Sequence, residues 1–522
     1  MKQFSRLACA LGVLAAIPAQ AQTAAPPKPT LVVLITIDQF RNDYLDRFGA
    51  QLTGGLARLT RGGAWFTNAH HDHAITETAP GHATLLAGRF PRSTGIMMNR
   101  IGVDDDAVTL IGGGVGPGAS PKRFLGKTLV DWMEEQDRES RAFSVSTKDR
   151  AAILPIGRTR AEVYWYSVNG QFTTSTYYRD SLPPWVVAWN ARKFAQTFAS
   201  RKWDLLLPEA SYPEPDDVEA EGETGNTFPH IVPDDPARAT NIVRGTPFID
   251  DITLSFALHG VQSLALGASA HTDLLNISLS GTDYIGHRYG PDSREIHDQV
   301  LRVDRAIGSF IDSLYRLRDS SRITIVLAAD HGIGTIPELA PASMKPAPQR
   351  VTLNGLLPEL RAGLLAAHVD TAALDIDQQI VLIDRPAFIK AKVNADSAVD
   401  AFAAVVRKVP GVLRVDRFRA LLADTLTDPI ARRWSHQFPA NVNVELVVTL
   451  TPLSTWAGNI AFHGSPHDYD THVPLIFYGA GVQPGRRPEF VRTVDLAPTL
   501  AALAGVRPQG AIDGVVLKAA IR

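Results

Sequence analysis

The stretch "LVVLITID", Leu31 to Asp38, is an apolar run that ends abruptly on an acid. A run without polar alternation suits a strand buried on both faces, as in a parallel sheet covered by helices. Thr272 to Leu279 (TDLLNISL), Ile323 to Ala328 (ITIVLA), Val444 to Leu450 (VELVVTL) and Val473 to Tyr478 (VPLIFY) repeat the design. Between them lie helical patterns. In Glu295 to Leu317, the residues Val300, Val303, Ile307, Phe310, Ile311 and Leu314 recur at spacings of three and four, the stripe of an amphipathic helix. Strands alternating with helices predict an α/β fold, a central and mostly parallel sheet flanked by helices.

Two regions break the alternation and read as segments inserted into one domain. Residues of about 155–250 are rich in aromatics, Pro and acids, with a solvated loop from Glu209 to Glu223. Residues of about 337–442 carry a strand of their own at Ile380 to Ile383 and a helix at Ala395 to Val406.

The chain has 522 residues and a formal net charge of −2. It is long enough for a large core with insertions, and its near-neutral charge gives no case for a nucleic-acid partner. Residues 1–21 read as an export signal. Lys2 and Arg6 precede a short apolar run, Leu7 to Ile17, and the small residues Ala19 and Ala21 flank the cleavage point. The run is far below the roughly 20 residues of a membrane span. The one cysteine, Cys9, falls inside the signal, so the exported chain is expected to hold no disulfide and no transmembrane segment. Residues 22–30 form a flexible leader, and 31–522 the domain. The expected location is periplasmic or secreted.

Acids and histidines gather at strand ends. Asp38 follows the first strand, Asp283 and His287 follow the second as D-Y-I-G-H, and Asp330 and His331 follow the third as a pair. Open α/β sheets place their sites at these carboxyl ends. Charged residues directly after strongly apolar strands need partners to be buried. Carboxylate and imidazole without thiolate suit zinc, manganese or similar ions. "FHGSPHDYDTHVPLIFYG" adds His463, His467 and His472, and spacing alone does not choose among them. His70, Asp72 and His73 read as surface polar sequence or outer support, and His82 and His271 as ordinary structural histidines.

"TETAPGHATLLAG", Thr76 to Gly88, sets Thr78 at the mouth of a helix. One reading is an N-cap, with Pro80 in the first turn. The other uses the same free N–H groups and positive helix end to hold a phosphoryl group that Thr78 attacks.

In this order the motifs resemble the alkaline phosphatase superfamily, in its type I phosphodiesterase and nucleotide pyrophosphatase branch. They are strand-Asp38, Thr-Ala-Pro-Gly-His at Thr78, D-x-x-x-H at Asp283 and His287, A-D-H-G at Asp330, H-G at His463 and "VDLAPTLAALAG" from Val494. The resemblance implies an alkaline-phosphatase-like fold with inserted cap segments, two zinc ions and a threonine nucleophile. Asp283, His287 and His463 would hold one zinc, with His472 in reserve for His463. Asp38, Thr78, Asp330 and His331 would hold the other. A narrower likeness, to phosphate-irrepressible periplasmic alkaline phosphatases of the PafA type, rests on Asn99 in "GIMMNRI" and on Lys148 and Arg150 in "STKDR". It implies that these three bind substrate phosphate.

The implied activity is hydrolysis of phosphate monoesters of small metabolites through a phosphothreonine at Thr78. Extra cations reward a monoester most, because it carries two charges where a diester carries one. The alternative is a phosphodiesterase or nucleotide pyrophosphatase on the same two metals. A sulfatase would need a Cys or Ser where Thr78 stands.

Overall fold

A computed structural model describes residues 28–222, 225–422 and 427–522. The expected export signal, the leader before Lys28 and Glu223 lie outside the described residues.

The opening run is strand β1, Leu31–Ile37, and every residue of it is buried. It lies in a nine-stranded sheet with β2 (Ala64–His70), β3 (Ala142–Ser146), β4 (Glu162–Tyr166), β5 (Phe172–Thr173), β6 (Asp273–Leu279), β7 (Ile323–Ala328), β8 (His472–Gly479) and β9 (Gly485–Arg492). The spatial order is β9-β2-β8-β7-β1-β6-β3-β4-β5. β1 pairs in parallel with β6 on one side and with β7 on the other. Only β8 and β5 run against their neighbours, so the sheet is mostly parallel, as expected.

Helices cover both faces, and β1 shows why its apolar run is continuous. Val33, Ile35 and Ile37 pack into one core with Leu56 of α1 (Gly55–Gly62), Phe256 of α3 (Phe248–Ser263) and Ile307 of α5 (Arg294–Leu317). Val32 and Leu34 face the other core, with Ala83 of α2 (Thr78–Ala87) and Leu500 of α6 (Leu496–Ala504). α4 (Gly281–Tyr289) follows β6 directly. The six apolar residues of the α5 stripe are all buried. At about 1.5–3 kcal/mol for each large aliphatic or aromatic side chain removed from water, that face holds the helix in place.

The sheet reaches into stretches read as insertions. β4 (EVYWY) and β5 extend its edge, because aromatic and β-branched residues fit a half-covered pleated surface. A second sheet, entirely antiparallel, orders Leu374–Asp377, Ile380–Ile383, Val444–Leu450 and Val412–Arg417. Val444–Leu450 therefore departs from expectation. It copies the pattern of β1, yet it pairs antiparallel on both sides in another sheet. β8 departs in the same way, running antiparallel inside the main sheet. A continuous apolar run reports burial on two faces and is silent about strand direction.

Candidate active site

β1, β6 and β7 end nearly level. Ile37 is in register with Leu279, and Thr36 with Ala328, so the segments that follow bring Asp38, Asp283 and Asp330 to one place. All three carboxylates are buried. Gln39, a residue the sequence reading passed over, ties them together. Its backbone N–H donates to Asp330 Oδ1 at 3.0 Å, and its side-chain amide donates to Asp283 Oδ1 at 3.1 Å. This double reach uses a left-handed backbone at Gln39, φ 62°. It also needs Gly286 opposite, where a Cβ would come within 2.0 Å of Gln39 Oε1.

The clustering perturbs each acid differently. Burial, then the charges of Asp283 and Asp330, push the Asp38 carboxyl well above its ordinary range. Burial acts the same way on the other two but is outweighed. Lys148 and His287 hold Asp283 low, and His331 and His82 hold Asp330 low.

Three imidazoles complete the centre with a common orientation. Nδ1–H of His331 donates to Gly332 O at 2.9 Å, that of His463 to Thr76 O at 2.7 Å, and that of His287 to Ala461 O at 3.1 Å. Each bond fixes the tautomer and leaves the Nε2 lone pair bare. His331 Nε2 then lies 3.5 Å from Asp38 Oδ1 and 3.6 Å from Asp330 Oδ2, and His287 Nε2 lies 3.4 Å from Asp283 Oδ1. His463 Nε2 is 4.0 Å from the same oxygen, and its ring stacks on His331 at 3.7 Å. Burial lowers the basicity of both stacked rings.

Two buried groups result, Asp38–Asp330–His331 and Asp283–His331–His463, each with its ligand atoms within 4.8 Å of one another. Asp38 Oδ1 and His331 Nε2 have no hydrogen-bond partner among the described residues. Buried acceptors facing only other acceptors are costly unless a cation joins them. The donor set fits divalent cations.

Lys148 and Arg150 follow β3. Lys148 Nζ lies 2.7 Å from Asp38 Oδ2 and 2.5 Å from Asp283 Oδ2. It is a buried charge inside the acid cluster, not an exposed one at a strand end. Arg150 has a buried Nε without a hydrogen-bond partner, and its nearest acid, Asp149, is 4.0 Å away.

Thr78 is the first residue of α2. The N-cap position belongs to Glu77, whose side chain makes no cap bond. Asn99 serves this helix end: its Oδ1 accepts from Ala79 N–H at 2.8 Å, and its own N–H donates to Glu77 Oε2 at 2.6 Å. With its oxygen committed, the Asn99 amide is left with its donor end. Gly81 lets the first turn lie on the end of β7, since a Cβ there would meet Asp330 O at 2.2 Å. His82, read from sequence as an ordinary structural histidine, lies 3.0 Å from Asp330 Oδ2 and also bonds Thr78 O at 2.9 Å. Its place four residues after Thr78, hence on the same helix face, was the available signal.

His70, Asp72 and His73, expected at the surface or in outer support, are all buried. Asp72 pairs with Arg432 at 3.0 Å, and neighbouring His71 bonds Ala329 O at 2.9 Å, bracing the chain just before Asp330. Of the three late histidines only His463 converges. His467 bonds Leu450 O, while His472 bonds Thr67 O and stacks on His70 at 4.6 Å. His271 pairs with Asp137 at 2.8 Å, well away from the acid cluster.

A family model described as type I phosphodiesterase / nucleotide pyrophosphatase matches residues 32–433. The chain is 30% identical to alkaline phosphatase PafA of Elizabethkingia meningoseptica, covering 94% of each. It is 32% identical to alkaline phosphatase PhoK of a Sphingomonas species, covering 95% of this chain and 92% of that one. A crystal structure of PafA superposes with a TM-score of 0.88 at 28% identity, over 95% of this chain and 100% of that chain.

Proposed function

The chain belongs to the type I phosphodiesterase / nucleotide pyrophosphatase family, and from that premise we propose that it hydrolyses phosphate monoesters to inorganic phosphate. It is a hydrolase of the phosphatase class, like its relatives PafA and PhoK. The observation that carries the monoester reading is Lys148, a buried ammonium against Asp38 and Asp283, with Arg150 beside it on the same turn. Two cations beyond those the acids would hold are useful to a dianionic phosphoryl group and wasted on a half-esterified one.

Asp283, His287 and His463 would hold one divalent cation, and Asp38, Thr78, Asp330 and His331 the other; the donor set suits zinc. When bound, such cations supply positive charge for the attacking and leaving oxygens of an in-line displacement. The protein supplies the rest. Thr78 Oγ forms a bond to phosphorus as the ester oxygen leaves, and water later displaces the threonine from the phosphothreonine. Lys148, Arg150, the Asn99 amide and the positive end of α2 hold the non-bridging oxygens, where positioning and charge dominate the barrier. Gln39 and His82 orient the acids.

We treat 31–522 as one catalytic domain, with 155–250 and 337–442 as segments capping it. The signal read at 1–21 directs the enzyme to the periplasm or beyond. No helix among the described residues is long and apolar enough to cross a membrane. Small phosphorylated metabolites are the proposed substrates.

The test compares kcat/KM for an aryl phosphate and its methyl ester, in the parent and in a Lys148→Ala, Arg150→Ala double variant. Two charge-assisted contacts of roughly 1.5–3 kcal/mol each should shift the monoester-to-diester ratio by about two to four powers of ten. Equal losses on both substrates, or a parent that prefers the diester, would assign the site to a phosphodiesterase.

A further inference from the structure

Helix α4 carries more than Asp283 and His287. The residue after each, Tyr284 and Arg288, lines a cleft of about 500 Å³ together with Arg244, Thr246, His230 and Tyr289. One step along a helix turns a side chain by about 100°, so this cleft lies beside the acid cluster and not within it. The Tyr284 ring is the partition. The Lys148 ammonium sits 5.4 Å from its centroid, and the Arg244 guanidinium 5.2 Å.

Among the described residues the two arginines are committed to no acid. Arg288 donates to Gly225 O at 3.0 Å, and its guanidinium lies over the Tyr289 ring at 4.9 Å. Arg244 donates from Nε to Asn241 O at 3.4 Å. Neither forms an ion pair with a carboxylate among the described residues. A guanidinium offers five N–H donors in a fixed fork that suits phosphate and carboxylate. Two of them on one cleft, with two tyrosine rings between, form an anion-accepting wall. The volume is that of a small-molecule subsite, far more than a methyl or ethyl leaving group fills.

We propose that this cleft receives the leaving group, and that Arg244 and Arg288 select phosphate monoesters whose leaving group carries a second anionic group, a phosphate or a carboxylate. The proposal rests on the monoesterase reading: Thr78, the attacking group, would share its cation with Asp38, Asp330 and His331, so Asp283, His287 and His463 would stand on the side of the leaving oxygen. The α4 side of the site is then the side from which the leaving group departs. Arg244 and Arg288 are specificity residues and touch no reacting atom.

Butane-1,4-diol monophosphate and its bisphosphate make the test, because their leaving alkoxides are alike and only the remote charge differs. kcat/KM is measured for both in the parent and in Arg244→Ala, Arg288→Ala and the double variant. Arg288→Gln serves as a second variant that keeps a donor for Gly225 O. The parent should favour the bisphosphate. Each single variant should lose roughly tenfold on the bisphosphate, and the double variant about a hundredfold. The monophosphate should stay within about twofold throughout, which also reports that the variants fold. Parallel changes on both compounds, or a parent indifferent to the second phosphate, would overturn the subsite while leaving the monoesterase reading intact. A parent inactive on both compounds but active on a diester would overturn that reading, and the subsite with it.

Discussion

The Lys148 ammonium lies 2.7 Å from Asp38 Oδ2, with both side chains buried. The same nitrogen touches Asp283, so one lysine balances two acids of a cluster built for cations. Lys148→Ala should lower the thermal stability of chelated protein by several degrees, since breaking a buried pair costs about 3–5 kcal/mol. It should also tighten zinc binding, because no ammonium competes for the acids. Calorimetry on metal-free protein and a zinc titration check this, and an unchanged metal-free Tm would refute it.

Thr78→Ala should remove several orders of magnitude of turnover and leave the fold intact. The Asn99 bond to Ala79 N–H, with Asn99 itself tied to Glu77, holds the helix end without the Thr78 hydroxyl. Thr78→Ser should retain appreciable activity. Steady-state kinetics on an aryl phosphate decide. A Thr78→Ala loss within tenfold, about 1.4 kcal/mol, would make Thr78 a helix-end residue and nothing more.

Metal analysis of purified protein should find about two zinc ions per chain. Chelation should abolish activity and lower Tm, since acids and neutral imidazoles crowded without cations repel or stay unsatisfied. A ligand at a hundredfold its Kd adds about 2.7 kcal/mol, so re-addition of zinc should restore the Tm. Full activity in rigorously stripped protein would end the two-cation reading.

Asp250 gives a pH signature at the start of α4, where it accepts from Gly281 N–H. Burial pushes its carboxyl up to about 7 against the bonds from Gly281 N–H and Gln299 Nε2. The folded value exceeds the unfolded one, so the native state binds the extra proton between about pH 4 and 7. Stability is therefore lost as pH rises through that window, by at most about 1.4 kcal/mol per unit. Asp250→Asn should gain stability relative to the parent at pH 8.5 compared with pH 5, as urea unfolding would show. Parallel curves for the two proteins would contradict it.

Local pattern reaches surprisingly far into this fold. Burial of β1 on both faces, the α5 stripe, and the elements at Ile380–Ile383 and Ala395–Val406 are found at the residues where the sequence places them. So are the three acids at strand ends, because a charge after an apolar run needs no knowledge of distant residues to be noticed. Strand direction was not legible. Val444–Leu450 and β8 share the composition of β1 and run antiparallel, since apolar content depends on what covers a strand and direction on where the chain re-enters the sheet.

The site divides along the same line. Sequence alone determined which residue types could do the chemistry, and the motifs carried the resemblance. Only the tertiary structure brought His463 and not His472 up to the acids, drew Gln39 and His82 beside them, and set Lys148 against Asp283 across 135 residues of chain. Those choices follow from which Nε2 lone pairs and charges converge once distant strand ends are brought level. Such convergence is a property of the packed sheet, and no local spacing encodes it.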